Sequence, residues 1–314
     1  MFLLLKYTLL YTVVLMMVAL GGMFSERSGI INIALEGIMV IGGLMGVIAI
    51  QMMPAGASAF SIVLVSVLAA GIAGMLYAGL LAFASINLNA DQTIGGTALN
   101  LLATALAMVI AKGVNHSASA KLDYSNRVFV YEFGPLTVNV FLFIGIVALI
   151  LSYIVLYKTR LGLRLRACGE HPQAADSVGI NVYRMRYIGT TVSGALAGFG
   201  GYVYIATVAN GTASGAVAGM GFLALAIMIF GNWKPLGIAL GALLFGFLKC
   251  LGVIYDQVFL TIGGEKVYFL KNLNMPMYFY NLIPYVAVLI VLAFTAGKSR
   301  APKAEGIPYD KGAR

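Results

Sequence analysis

The chain has 314 residues, 61% of them hydrophobic and only 10% charged, with a mean hydropathy of +0.95 and a formal net charge of +9. Such a composition excludes a water-soluble globule, because apolar runs of this extent must face lipid or one another, so the length means one polytopic membrane domain. The positive charge would suit nucleic acid, but Lys and Arg collect at the ends of apolar runs, the pattern that orients a membrane protein, and no nucleic-acid partner is expected.

Nine apolar segments are legible against the roughly 20 residues that cross a bilayer as helix. They span 7–24, 30–50, 59–86, 93–111, 136–157, 187–209, 217–231, 235–256 and 280–297. The expected fold is all-α, a polytopic bundle of about 8–10 transmembrane helices. The first run carries one base, Lys6, and reaches Ser25-Glu26-Arg27 without a cleavage-type site, so it is expected to stay in the mature protein.

Within the second segment Glu36 is the one acid deep in an apolar run, and Asn32 four residues earlier would share its helical face. A carboxylate inside a membrane is a functional candidate, since burying it unpaired is costly. Its structural alternative is a pairing with Arg27, or with another chain's base, near the interface that fixes the bend at Ser28-Gly29. In the fourth segment Thr93, Thr97, Asn100 and Thr104 are spaced 4, 3 and 4, which puts four uncharged polar side chains on one face. Two readings are open there: the face lines a path for a neutral, hydroxyl-rich solute, or the threonines bond back to their own helix and Asn100 ties two helices together.

The stretch Lys158–Arg186 is the longest strongly charged one, with six bases against Glu170 and Asp176, and marks a cytoplasmic loop. Pro172 suits a first helical position and Gly179 the left-handed residue after a helix end, so a helix is read over Pro172–Val178. Ala174 and Ala175 would give it a smooth face for another protein's groove; the bland reading is a solvated loop that only fixes topology. A cytoplasmic 158–186 loop places the N-terminus outside and the C-terminus inside, in agreement with the basic tail 298–314, which follows a membrane domain spanning 1–297. The connections Lys112–Pro135 and Gln257–Phe279 then face outward. The seventh segment is short enough to be a broken helix. Small-residue pairs such as Gly42/Gly46, Gly194/Gly198, Gly215/Gly219 and Gly237/Gly241 indicate close helix packing.

Signals for catalysis are poor. His116 and His171 form no metal-ligand spacing, the two cysteines are too few for a disulfide framework, and Gly297-Lys298-Ser299 mimics a phosphate loop but has Leu292 where the first glycine belongs. No catalytic, metal or cofactor site is expected on this chain.

The segment GLRLRACGEHPQAADSVGINV resembles the cytoplasmic coupling segment of permease subunits in bacterial ABC importers of the branched-chain amino acid, ribose and nucleoside type. The likeness extends to SERSGIINIALEG, DQTIGGTALNLL, SGALAGFGG, GMGFLALAIMIFGNWKP and APKAEGIPY, and is strongest to the nucleoside-uptake branch, in which two different permeases usually work as a pair. The resemblance implies a multi-pass protein of the bacterial cytoplasmic (inner) membrane. It implies a second permease, an extracytoplasmic substrate-binding protein, and a cytoplasmic ABC ATPase that carries ATP and Mg. It further implies that the ATPase docks on Gly169, Glu170, His171, Pro172, Ala174, Ala175, Asp176, Gly179 and Ile180. A simple sugar or a branched-chain amino acid is the competing cargo. An ion-coupled carrier is the competing mechanism, although it should show several intramembrane acids.

Overall fold

A computed structural model describes residues 2–54, 56–122, 129–133, 136–255, 260–262, 265–267, 276–295 and 300–312. Long helices α1 (Phe2–Arg27), α2 (Leu35–Gln51), α3 (Ala59–Asn87), α4 (Gln92–Asn115) and α5 (Val140–Lys158) are followed by two short ones, α6 (Arg160–Glu170) and α7 (Pro172–Ser177). Then come α8 (Val182–Thr207), α9 (Met220–Phe230), α10 (Pro235–Ile254) and α11 (Met277–Thr295). Every apolar segment of the sequence thus carries one helix. Five of them, α1, α3, α4, α5 and α10, are long and apolar enough to cross a membrane unaided.

The ends of these helices sort into two faces. Arg27 at the end of α1 meets Glu170 and the carbonyls of Asn232 and Trp233, and Asn87 at the end of α3 bonds Tyr187 near the start of α8. Gln51 at the far end of α2 bonds the Lys121 carbonyl. The first face also holds Lys158, Arg160, Arg164, Arg166, Arg184 and Arg300, the bases that the sequence reading expects in the cytoplasm.

Helix α1 is apolar on all sides and buried from Leu10 to Glu26, the pattern of a central helix. It packs against α8, α10, α9 and α5, while α2 and α3 pack on α8. Glycines set the closeness of that second seam. A Cβ on Gly42 would lie 2.3 Å from the Gly198 Cα, and one on Gly194 would lie 2.4 Å from the Gly74 carbonyl oxygen. Lipid offers helices no hydrophobic reason to associate, so backbone approach of this kind supplies the packing. The outer helices α4 and α5 keep long apolar side chains exposed, among them Leu101, Val109, Val147 and Leu151.

Three departures from the sequence reading have physical causes. The second segment was expected to be helical from 30, but α2 begins at Leu35, because Gly29 lies at φ +99° and 28–34 run irregularly. Gly215 and Gly219 are not a helical pair: both have positive φ, and they shape the irregular approach to the short α9, which is the broken seventh segment. Third, the bundle is all-α as expected, but among the described residues its connections also carry three short antiparallel ladders: Ala120–Lys121 with Thr212–Ala213, Val130–Phe133 with Leu136–Asn139, and Leu260–Ile262 with Glu265–Val267. Strands of two to four residues carry no periodicity to detect. Of the expected outer landing surface on Lys112–Pro135 and Gln257–Phe279, residues 123–128, 134–135, 257–259, 263–264 and 268–275 lie outside the described residues.

Candidate functional site

Two regions hold the polar residues of this apolar chain: a break in the helices at membrane depth, and the cytoplasmic end.

The break is built by 28–34 and by the run 211–219. Irregular backbone inside a membrane must find its hydrogen bonds within the protein, and here side chains of neighbouring helices provide them. The Ile31 amide donates to Gln92 Oε1 (2.7 Å), Asn100 Nδ2 donates to the Ile33 carbonyl (2.9 Å), and the Gly37 amide donates to Asn100 Oδ1 (2.7 Å). Asn32 Nδ2 donates to Ser193 Oγ on α8 (2.8 Å). Asn32 and Glu36 therefore do not share a helical face, since Asn32 precedes the helix.

Glu36 does not pair with Arg27. Its Oε1 accepts from the Gly219 amide at 2.8 Å and its Oε2 from the Gly221 amide at 2.6 Å. These are the first amides of α9, which have no intrahelical acceptor, and the positive end of the helix favours a carboxylate there. One acid at the start of α2 thus closes the start of α9, joining the two broken helices. Gly221 has no room for a side chain, since a Cβ would stand 2.4 Å from the Glu36 nitrogen.

The hydrogen bonds of the α4 stripe are those of the second reading. Thr97 and Thr104 hydroxyls donate back to the carbonyls of Thr93 and Asn100, and Asn100 ties α4 to the start of α2. Thr93, Thr97 and Thr104 nevertheless remain exposed, and the Thr104 carbonyl lies beside Gly215, so the stripe continues into the run that leads to α9. Asn100→Leu is expected to reduce the yield and thermal stability of detergent-solubilised protein as well as transport. It leaves the Gly37 amide and the Ile33 carbonyl without partners, and each buried orphan costs about 1–3 kcal/mol. A melting curve of the purified variant checks it: an unchanged midpoint alongside lost uptake would return Asn100 to a purely solute-facing role.

At the cytoplasmic end His171 caps α7, its Nδ1 accepting from the Ala174 amide at 3.2 Å, Pro172 occupies the first turn, and Gly179 has φ +82°. The helix ends at Ser177, one residue short of the reading. Ala174 and Ala175 part company: Ala174 is exposed, but Ala175 is buried among Cys168, Val182, Met185 and Tyr309 of this same chain. The expectation that both alanines face a partner is therefore corrected. A six-residue helix resting on its own protein must turn one face inward, and the outward face presents Gln173, Ala174, Ser177 and Val178. Ala174, with His171, Gln173, Asp176 and Ser177, lines an open cleft of about 700 Å³ bounded across by Tyr309, Asp310 and Lys311. Ile180 is half-buried behind α7 and its amide bonds the Ala175 carbonyl. Gly169 lies under the loop, where a Cβ would come 2.4 Å from the Arg27 carbonyl oxygen, and Glu170 faces Arg27 at 3.7 Å. Cys168 in α6 is a free thiol that is fully buried, and that burial pushes its pKa up to about 11.

Sequence reasoning missed two features. The tail is no free appendage: the Ala304 amide bonds the Gly169 carbonyl, the Gly306 amide bonds the Gly29 carbonyl, and Ala304 and Tyr309 are buried. Lys249 in α10 is buried in the membrane, with Tyr285 beside it. As the one base inside the segment 235–256, it could have been found by the same test that singled out Glu36.

A profile of the family described as branched-chain amino acid transport system / permease component matches residues 4–296. Among curated relatives, the nucleoside ABC transporter permease protein NupC of Lactococcus lactis subsp. cremoris is 39% identical, over 96% of this chain and 95% of its own. The guanosine ABC transporter permease protein NupQ of Bacillus subtilis is also 39% identical, over 98% of this chain and 96% of its own. A second Lactococcus protein, the nucleoside ABC transporter permease protein NupB, is 31% identical over 56% of this chain and 46% of its own. With nine helix-bearing apolar segments, a capped cytoplasmic helix between two of them and a family match running almost end to end, the chain belongs to the branched-chain amino acid transport system permease family, as a multi-pass component of the bacterial inner membrane.

Proposed function

We propose that this chain is one of two different permeases of an ATP-driven importer of nucleosides. The observation that carries the cargo class is the 39% identity, over nearly the full length, to permeases named for nucleoside and guanosine transport. A partner permease of different sequence is supported by the weaker likeness to NupB, named for the same transport in the organism that has NupC. ATP and Mg are held by a partner ATPase that docks on the outward face of α7 and the adjoining cleft, and a substrate-binding protein delivers the solute on the far side. The exposed α4 threonines and the run 211–219 form this chain's share of the path. Neutral polar side chains suit a solute rich in hydroxyls, which needs hydrogen bonds and no counter-charge.

The test is reconstitution of this chain with its ATPase, second permease and binding protein in liposomes. ATP in the absence of any ion gradient should drive uptake of labelled nucleoside. Uptake driven by a proton or sodium gradient without ATP, or uptake of a sugar or branched-chain amino acid but no nucleoside, would overturn the reading.

A further inference from the structure

We infer that Lys249 is a specificity-determining residue of the membrane path, donating to a ring carbonyl oxygen on the base of the transported nucleoside. The inference rests on the proposed nucleoside cargo and names the part of the solute that this chain recognises.

An ammonium inside a bilayer is retained only at a cost, and ordinarily it pairs with an acid or faces a polar path. Lys249 is 9% exposed, and no carboxylate lies within ion-pairing distance of it among the described residues. Tyr285 stands beside it: Nζ is 3.4 Å from the hydroxyl and 5.2 Å from the ring centroid. A primary ammonium has three N–H donors, so one long hydrogen bond and a ring face leave most of its donor capacity unused. Glu36 makes no ion pair with Lys249 among the described residues; its two oxygens accept from the amides at the start of α9.

The surroundings are accessible. Tyr285 is 40% exposed and its hydroxyl reaches the Ala218 carbonyl; Ala218 is exposed and Glu36 is half-exposed. Phe222, on the first turn of α9, is 51% exposed. Thr104 thus lies beside Gly215, and four residues on Gly219 lies beside the Tyr285 hydroxyl that adjoins the buried cation. Aromatic faces take up a planar heterocycle by stacking, and an ammonium can only donate. A ring carbonyl oxygen matches both needs. A ribose hydroxyl is matched as well by the neutral threonines of α4, which both donate and accept.

The test uses the complete reconstituted importer at saturating binding protein and two solutes that differ at the ring carbonyl: inosine, which has it, and purine riboside, which lacks it. Lys249→Met should lower the ratio of inosine to purine riboside transport rates at least about tenfold, the scale of one hydrogen bond to a charged group. Purine riboside transport should change less than about threefold. Lys249→Arg should restore most of the ratio. Lys249→Gln, which keeps length and polarity, serves should the methionine variant fail to assemble, and should lower the ratio by a smaller factor. Equal loss of both solutes in Lys249→Met and Lys249→Gln would make Lys249 a tie between α10 and α11 and overturn the inference, as would an unchanged ratio. A wild-type importer that moves neither nucleoside would instead sink the cargo reading and this inference with it.

Discussion

Ala174→Arg is expected to yield a permease that inserts, folds and resists protease like the wild type but loses its ATPase, with coupled transport falling more than tenfold. The neighbouring Ala175→Arg is expected to fail differently. Ala174 is exposed on the face of α7 that lines the cleft, whereas Ala175 is 3% exposed and packed against Cys168, Val182, Met185 and Tyr309. An arginine at 175 must either bury a charge without a partner or lift α7 off its support. Overpacking alone costs about 1–3 kcal/mol, and the unpaired charge adds to it. Limited proteolysis of the loop, together with ATPase co-purification, separates the two. Rapid cleavage of Ala175→Arg with protection of Ala174→Arg is the predicted pattern. Full ATPase recovery with Ala174→Arg would move the docking surface away from α7.

Glu36→Ala is expected to abolish uptake and to lower the thermal stability of the purified protein, and it should do both more severely than Glu36→Gln. The carboxylate satisfies two amides at the start of α9 with short, charge-assisted bonds. Alanine leaves both amides unpaired at membrane depth, where an unsatisfied backbone group costs several kcal/mol. Glutamine keeps one acceptor oxygen, so one of the two bonds survives and the loss should be roughly half. Differential scanning fluorimetry in detergent and uptake in liposomes measure the two effects. A Glu36→Ala protein with wild-type melting would show that α2 and α9 are joined by apolar packing and not by this acid.

The all-α bundle and the order of its apolar helices were written in the apolar segments, because a bilayer imposes a length on each helix and allows little freedom in its composition. The short helix α7 was legible too, marked by local chemistry: Pro172 at its start and Gly179 after its end are read without reference to any other part of the chain.

What only the tertiary structure decided is the partner of each polar group. Glu36 could not be assigned to the amides of Gly219 and Gly221 from sequence, because 183 and 185 residues separate them and nothing in a one-dimensional pattern records which helix start lies opposite which acid. Asn100 could be a solute contact or a tie, and the irregular backbone at Ile33 and Gly37 made it a tie. Ala174 and Ala175 are chemically identical, and only the docking of α7 onto α8 and the tail gave one to the solvent and the other to the core. In a membrane the apolar pattern selects the helices, but it is nearly uniform around each of them, so the faces they turn to one another are settled by the few places where glycine, a broken backbone or a buried charge demands a particular neighbour.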